Sequence, residues 1–128
     1  MPTLEYFILC ESAAIDQSRN RPSFFHVIER EIVRRDFPWT IPQIIVFSSW
    51  LPGPEDAGRD FQVLLHVHVP GNETAGVFPK NFTQDRRRTR LLQSLYNLRI
   101  PQPGELQFEL LLNGTPVATH SVTVAPLE

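Results

Sequence analysis

The stretch Phe61-Gln62-Val63-Leu64-Leu65-His66-Val67-His68-Val69 decides the fold. Phe61, Val63, Leu65, Val67 and Val69 are all apolar, and of the residues between them only Leu64 is. A period of two places alternate side chains on opposite faces of an extended chain. The stretch therefore reads as an antiparallel strand with one dry face and one wet face.

The same pattern returns downstream. Leu106, Phe108, Leu110 and Leu112 alternate with Gln107 and Glu109, while Ala118, Val122 and Val124 face away from Thr119, Ser121 and Thr123. Asn113-Gly114 lies between these runs, and this dipeptide suits a tight hairpin in which both turn residues take positive φ. A plain two-residue turn would set Leu110 opposite Val117 and Phe108 opposite Thr119, turning Thr119 and Ser121 toward the core. The apolar pattern instead requires Leu106, Phe108 and Leu110 to share a face with Ala118 and Val122. A three-residue loop or a bulge near Gly114 reconciles the two.

Upstream, Leu4, Tyr6, Ile8 and Cys10 are expected on one core face of a strand over residues 3–11. Residues 23–33 read as a strand kinked near Glu29 or Arg30. Residues 36–42, bounded by Pro38 and Pro42, form a connection, and Ile44-Ile45-Val46-Phe47, apolar on both faces, suits a central strand. Residues 51–56 read as a loop. Residues 70–85 read as a long loop with a short strand at Val77-Phe78. Over residues 86–98, Leu91, Leu92, Leu95 and Leu98 also fit helical spacing; a strand over 87–93, turning irregular before Pro101, is the preferred reading. Short strands at this spacing imply an all-β fold: a single antiparallel β-sandwich domain over residues 1–128, Ig-like, with seven to eight strands.

Composition agrees. The 128 residues are 41 % hydrophobic and 20 % charged, with twelve prolines against six glycines, so long helices are disfavoured. No apolar run approaches the roughly 20 residues of a membrane-spanning helix. One cysteine, Cys10, excludes an internal disulfide, and residues 1–6 lack the basic and apolar regions of a signal peptide. Both point to a cytoplasmic setting. Three Asn-X-Thr triplets, starting at Asn72, Asn81 and Asn113, then read as turn chemistry. The net charge is −2, which disfavours a polyanion-binding molecule.

The segment Phe7-Ile8-Leu9-Cys10-Glu11-Ser12-Ala13 with Asp16 resembles the opening of a family of small bacterial proteins grouped as a domain of unknown function. Asn97-Leu98-Arg99-Ile100-Pro101-Gln102-Pro103-Gly104, then Phe108-Glu109-Leu110 and Val117-Ala118-Thr119 with Val122 and Val124, are similar as well. The resemblance covers most of the chain and departs at Glu29-Arg30, where the family carries small or apolar turn residues. It implies a fold and a bacterial cytosolic context, and no activity.

No arrangement of residues announces catalysis. Cys10 sits among apolar neighbours beside Glu11, whereas a reactive thiolate needs a positive, accessible setting. His66 and His68 share the wet face at i, i+2, which two metal ligands can use, but no third ligand accompanies them. His120 interrupts an apolar face and reads as a buried or rim histidine holding one hydrogen bond. Glu29/Glu31 and Glu55/Asp56 are carboxylate pairs without a cleft, and no Gly-rich phosphate loop or paired-cysteine motif occurs. Hence no catalytic, cofactor or metal residue is assigned.

The conspicuous feature is Arg86-Arg87-Arg88 with Arg90: five arginines and one acid fall within residues 81–100. Such a run grips carboxylates or phosphates, or keeps a solvated edge strand from aggregating. Sparse neighbouring aromatics disfavour nucleic acid. Trp39, between prolines, reads first as a lid packed on the core and second as the candidate exposed aromatic contact. The sequence thus favours a non-enzymatic module that docks a protein, including a second copy of itself, through Arg86, Arg87, Arg88, Arg90 and Trp39. A small-ligand or carbohydrate-binding sandwich comes next, and a metal-dependent hydrolase last.

Overall fold

The deciding stretch is β5 (Asp60–Val69), with Phe61, Val63, Leu65, Val67 and Val69 buried and the residues between them at least partly exposed. It belongs to a computed structural model that describes residues 1–71 and 73–127; the triplet at Asn72 lies outside the described residues. Those residues hold nine strands and no helix, where seven or eight strands were expected. The others are β1 (Thr3–Asp16), β2 (Arg21–Val27), β3 (Glu31–Arg34), β4 (Trp39–Leu51), β6 (Glu73–Thr83), β7 (Thr89–Ile100), β8 (Gly104–Leu112) and β9 (Thr115–Pro126). They form a four-stranded sheet, β2-β1-β4-β7, and a five-stranded sheet, β3-β9-β8-β5-β6. All pairings are antiparallel except β3 with β9.

The core lies between the sheets. From the five-stranded sheet come Val63, Leu65, Val67, Leu106, Phe108, Leu110, Val122 and Val124; from the other come Leu9, Ile44, Val46, Trp50, Leu95 and Ile100. Each fully buried aliphatic or aromatic side chain contributes about 1.5–3 kcal/mol, so a register error on any of these strands is costly.

The hairpin reaches the required register through a bulge. Asn113 (φ 48°) and Gly114 (φ 84°) make the two-residue turn, and Leu112 faces Thr115 and Leu111 faces Pro116. Val117 is then the extra residue, after which Leu110 faces Ala118, Phe108 faces His120 and Leu106 faces Val122.

Four expectations need correction. On β1 a register shift between Leu4 and Tyr6 turns Leu4, Phe7 and Leu9 toward the inter-sheet core. Tyr6, Ile8 and Cys10 therefore occupy the opposite face of the sheet. Residues 23–33 are two strands in different sheets, with the crossing over residues 28–30 where the kink was expected. Residues 70–85 contain the full strand β6, which sequence reading missed because Gly76, Pro79 and Asn81 break its pattern. β7 begins at Thr89 and stays in register with β4 as far as Ile100. It changes face near Asn97 (φ 56°), so Leu91 and Leu95 are followed inward by Leu98 and Ile100. Ile44 and Ile41 on β4 make the same change opposite, and the helix-like spacing of these leucines results from it.

β1 pairs with β4 from Thr3 to Cys10 and with β2 from Cys10 to Asp16. Beyond Cys10 the β1–β2 hairpin lies over the outer face of the four-stranded sheet. Phe24 meets Phe47 edge-on at 4.8 Å, and Tyr6 stacks on Phe47 at 5.8 Å. Phe47 and Cys10 are thereby completely buried although they point away from the inter-sheet core.

Candidate functional site

Arg86, Arg87, Arg88 and Arg90 lie at the entry to β7, and the structure divides their roles. Asp85 donates its backbone N–H to Thr89 Oγ1 (2.8 Å) and accepts the Arg86 N–H (2.8 Å), which fixes the turn into the strand. Arg88 donates Nε and Nη2 to the two Glu5 carboxylate oxygens, both at 2.7 Å, and the Ser49 hydroxyl donates to the same carboxylate at 2.8 Å. The Arg88 and Ser49 hydrogen bonds hold the Glu5 carboxyl below its usual range. Arg90 donates to the Asn20 side-chain oxygen (2.8 Å) and backbone carbonyl (3.0 Å) at the tip of the β1–β2 hairpin. Arg88 and Arg90 are thus internal clamps. Arg86 and Arg87 are exposed, with no side-chain partner among the described residues.

Trp39 is not in the connection where it was expected. It opens β4 opposite Ile100, is half-buried against the core, and has the Arg34 guanidinium 4.5 Å from its ring centroid. One face of the indole is therefore covered by a cation, an arrangement that is favourable in itself. A groove of about 770 Å³ beside it contains Glu11, His26, Glu29, Glu31 and Arg34, so the Glu29/Glu31 pair, expected without a cleft, lines one because the chain crosses between the sheets there.

The remaining titratable candidates are spread over the molecule. His66 and His68 stand on the outer face of β5, and His66 Nδ1 is 3.8 Å from Glu109. No cluster of three metal-ligating side chains occurs among the described residues. His120 sits at the rim, its Nε2 2.6 Å from the Glu29 carbonyl where the chain crosses between sheets, edge-on to Phe7. The carbonyl accepts, so Nε2 carries the proton. Cys10 points its thiol at the Ile45 carbonyl (3.9 Å), and burial pushes its pKa up. Asp56 is buried, accepting the Gly53 N–H at 2.6 Å, while its neighbour Glu55 is exposed.

The feature that sequence reading missed is the open side of the sandwich where β6 and β7 end the two sheets. Each is an outermost strand. Gln93 of β7 spans the gap, donating Nε2 to the Phe78 carbonyl of β6 at 3.2 Å. Next to it lies a groove of about 500 Å³ whose walls include Phe78, Leu95, Tyr96 and Leu98. Tyr96 is 66 % exposed, and Leu92, outside the groove on the same strand, is 38 % exposed. Alternation at Leu91, Gln93 and Leu95 was the available signal, obscured by Leu92 and by the change of face at Asn97.

The sheets define the class: an all-β protein of two packed sheets. The chain belongs to the family of unknown function DUF6941, whose model matches residues 5–125. No curated protein matches it. Among solved structures it is similar to the Pseudomonas fluorescens alkylpurine DNA glycosylase AlkC bound to DNA containing an abasic site analog. That likeness has 16 % identity and a TM-score of 0.53 over 74 % of this chain and 27 % of that one. It is also similar to the β-glucosidase from Listeria innocua in complex with isofagomine, with 9 % identity and a TM-score of 0.47 over 94 % of this chain and 16 % of that one. The chain thus spans about a quarter and a sixth of those two lengths. The likeness to the glycosylase is one of fold alone. No helix among the described residues is long and apolar enough to cross a membrane.

Proposed function

We propose that this chain is a non-enzymatic protein-interaction module of a bacterial cytoplasmic protein, and that it docks its partner along β7. The observation that carries this reading is the contrast between its four sheet edges. An outermost strand presents unpaired backbone groups, and proteins normally blunt it with proline, lysine, bulges or short length. β2 carries Pro22 and ends in an irregular His26 (φ 56°); β3 has four residues; β6 carries Pro79 and Lys80 and a register shift against Val67/His68. β7 has twelve residues, no proline, no lysine and no register shift against β4, and its irregular residue, Asn97 (φ 56°), leaves residues 89–96 regular. Among the described residues, none of the backbone hydrogen bonds outside the sheets involves it. Strand addition uses such an edge, main-chain hydrogen bonds giving affinity and alternate side chains giving selectivity.

The Ig-like description is part of the same proposal. β1-β4-β7 follows the order of strands A, B and E, and β9-β8-β5-β6 follows G, F, C and C′. In that frame β7 occupies the position of strand E, left open because no strand D lies beside it among the described residues.

A photo-crosslinking residue in place of Tyr96, expressed in the native host, tests the docking reading. A discrete crosslinked protein is expected from this position and not from Thr119 on the outer face of β9. No adduct at Tyr96, or equal adducts at both positions, overturns it.

A further inference from the structure

The β7 edge carries a charge that specifies its occupant. Residues 73–100, comprising β6, the turn and β7, hold six bases and two acids, a net +4. The rest of the chain holds six bases and twelve acids, a net −6. Positive charge is therefore concentrated on one side of an otherwise acidic protein. Only Arg88 of these bases is neutralised by a carboxylate among the described residues. Arg90 and Arg99 stand toward the two ends of β7 on its outer side, Arg86 and Arg87 precede it, and Lys80 lies across the gap on β6.

We infer that the β7 edge takes an extended acidic segment of another protein, added to the four-stranded sheet as a fifth strand. This rests on the docking reading above and names the partner's chemistry. Side chains of an added strand alternate. One set enters the groove, where Phe78, Leu95 and Leu98 suit apolar residues and Ser94, Tyr96 and Arg99 form its outer lip. The other set lies beside Arg90, Leu92, Ser94, Tyr96 and Arg99, where carboxylates between the two arginines complete the charge balance. A second copy of this chain fits poorly. Pairing of two β7 edges brings together two strands that each carry Arg90 and Arg99 and no acid, and like charge on adjacent strands is destabilising.

Selection from a random twelve-residue peptide library against the purified protein tests this. Enriched peptides are expected to alternate apolar residues with Asp or Glu and to shift the β7 amide signals in NMR spectra. Their affinity should fall about tenfold when Arg87→Glu and Arg99→Glu are combined, and should be unchanged in Arg35→Glu. Both reversed side chains are exposed, so the fold survives, which circular dichroism verifies. Neutral or basic peptides bound at β7 overturn the acidic assignment and leave edge docking standing. Peptides bound elsewhere, or none enriched, overturn both. Self-association lost on substitution in β7, or an oligothymidine that outcompetes every peptide there, also overturns the acidic-peptide inference.

Discussion

Arg90 of β7 reaches Asn20 at the tip of the β1–β2 hairpin, with one hydrogen bond to the side chain and one to the backbone. This contact fastens the far end of the hairpin across the four-stranded sheet and keeps Phe24 seated on Phe47. Asn20 has φ 55°, a conformation that asparagine tolerates better than most residues.

Arg90→Ala removes both bonds and is expected to cost about 1–2 kcal/mol, measured by urea unfolding. Asn20→Gly keeps the backbone conformation and the carbonyl bond, and is expected to cost less. Arg90→Lys does not restore the wild-type value, because a single ammonium lacks the planar fork. In hydrogen exchange, Arg90→Ala raises the rates of residues 13–24 ahead of those in β5 and β8.

Phe24→Ala uncovers Phe47 and the surroundings of Cys10. A loss of about 2–4 kcal/mol is expected, below the roughly 3–5 kcal/mol for a fully buried aromatic because Phe24 is only half-buried. Cys10 in the wild-type protein reacts with a thiol reagent only on unfolding, since burial both hides the thiol and raises its pKa. In Phe24→Ala it reacts under native conditions.

Glu5 carries a pH dependence of defined sign. Arg88, first, and Ser49 hold its carboxyl below the ordinary 4.5. A carboxylate depressed in the folded state stabilises the protein above its unfolded pKa, and that contribution is lost as pH falls through the folded value. Wild type and Arg88→Met therefore differ in stability at neutral pH and converge in acid. The Glu5 carboxyl signal in NMR titrates lower in wild type than in Arg88→Met; equal midpoints contradict the clamp.

Deleting Val117 removes the bulge residue, forcing the register of the turn along the whole hairpin. Thr119 and Ser121 then face the core in place of Ala118, His120 and Val122. A loss above about 4 kcal/mol, or failure to fold, is expected, by thermal unfolding. Val117→Thr keeps the residue count at a position 39 % exposed and is expected to cost little.

Legibility followed exposure. β5, β8 and β9 each have one face in the core and one in water, so alternation reveals them and even locates the bulge. β1 and β4 were harder, because the hairpin dries the outer face and apolar residues there stop marking the core; Cys10 was placed on the wrong face for this reason. β6 tolerates Pro79 and Asn81 because it is an edge, and those residues conceal it. Glu5 lies 83 positions from Arg88, and no local pattern reports such a pairing. The arginine run was visible as charge, but its division into two clamps and two free side chains depends on contacts far along the chain. The open edge of β7 was hidden because edge status belongs to the sheet and not to the strand.

The parallel pairing of β3 with β9 joins Glu31 to Thr123 and Arg34 to Pro126. During synthesis, therefore, β3 waits for about ninety further residues before its partner strand is made. The first sheet to close is the one whose strands emerge by Ile100. Until the last strand arrives, the nascent chain exposes the apolar faces of β5 and β8, and this interval is where chaperone dependence of expression would originate.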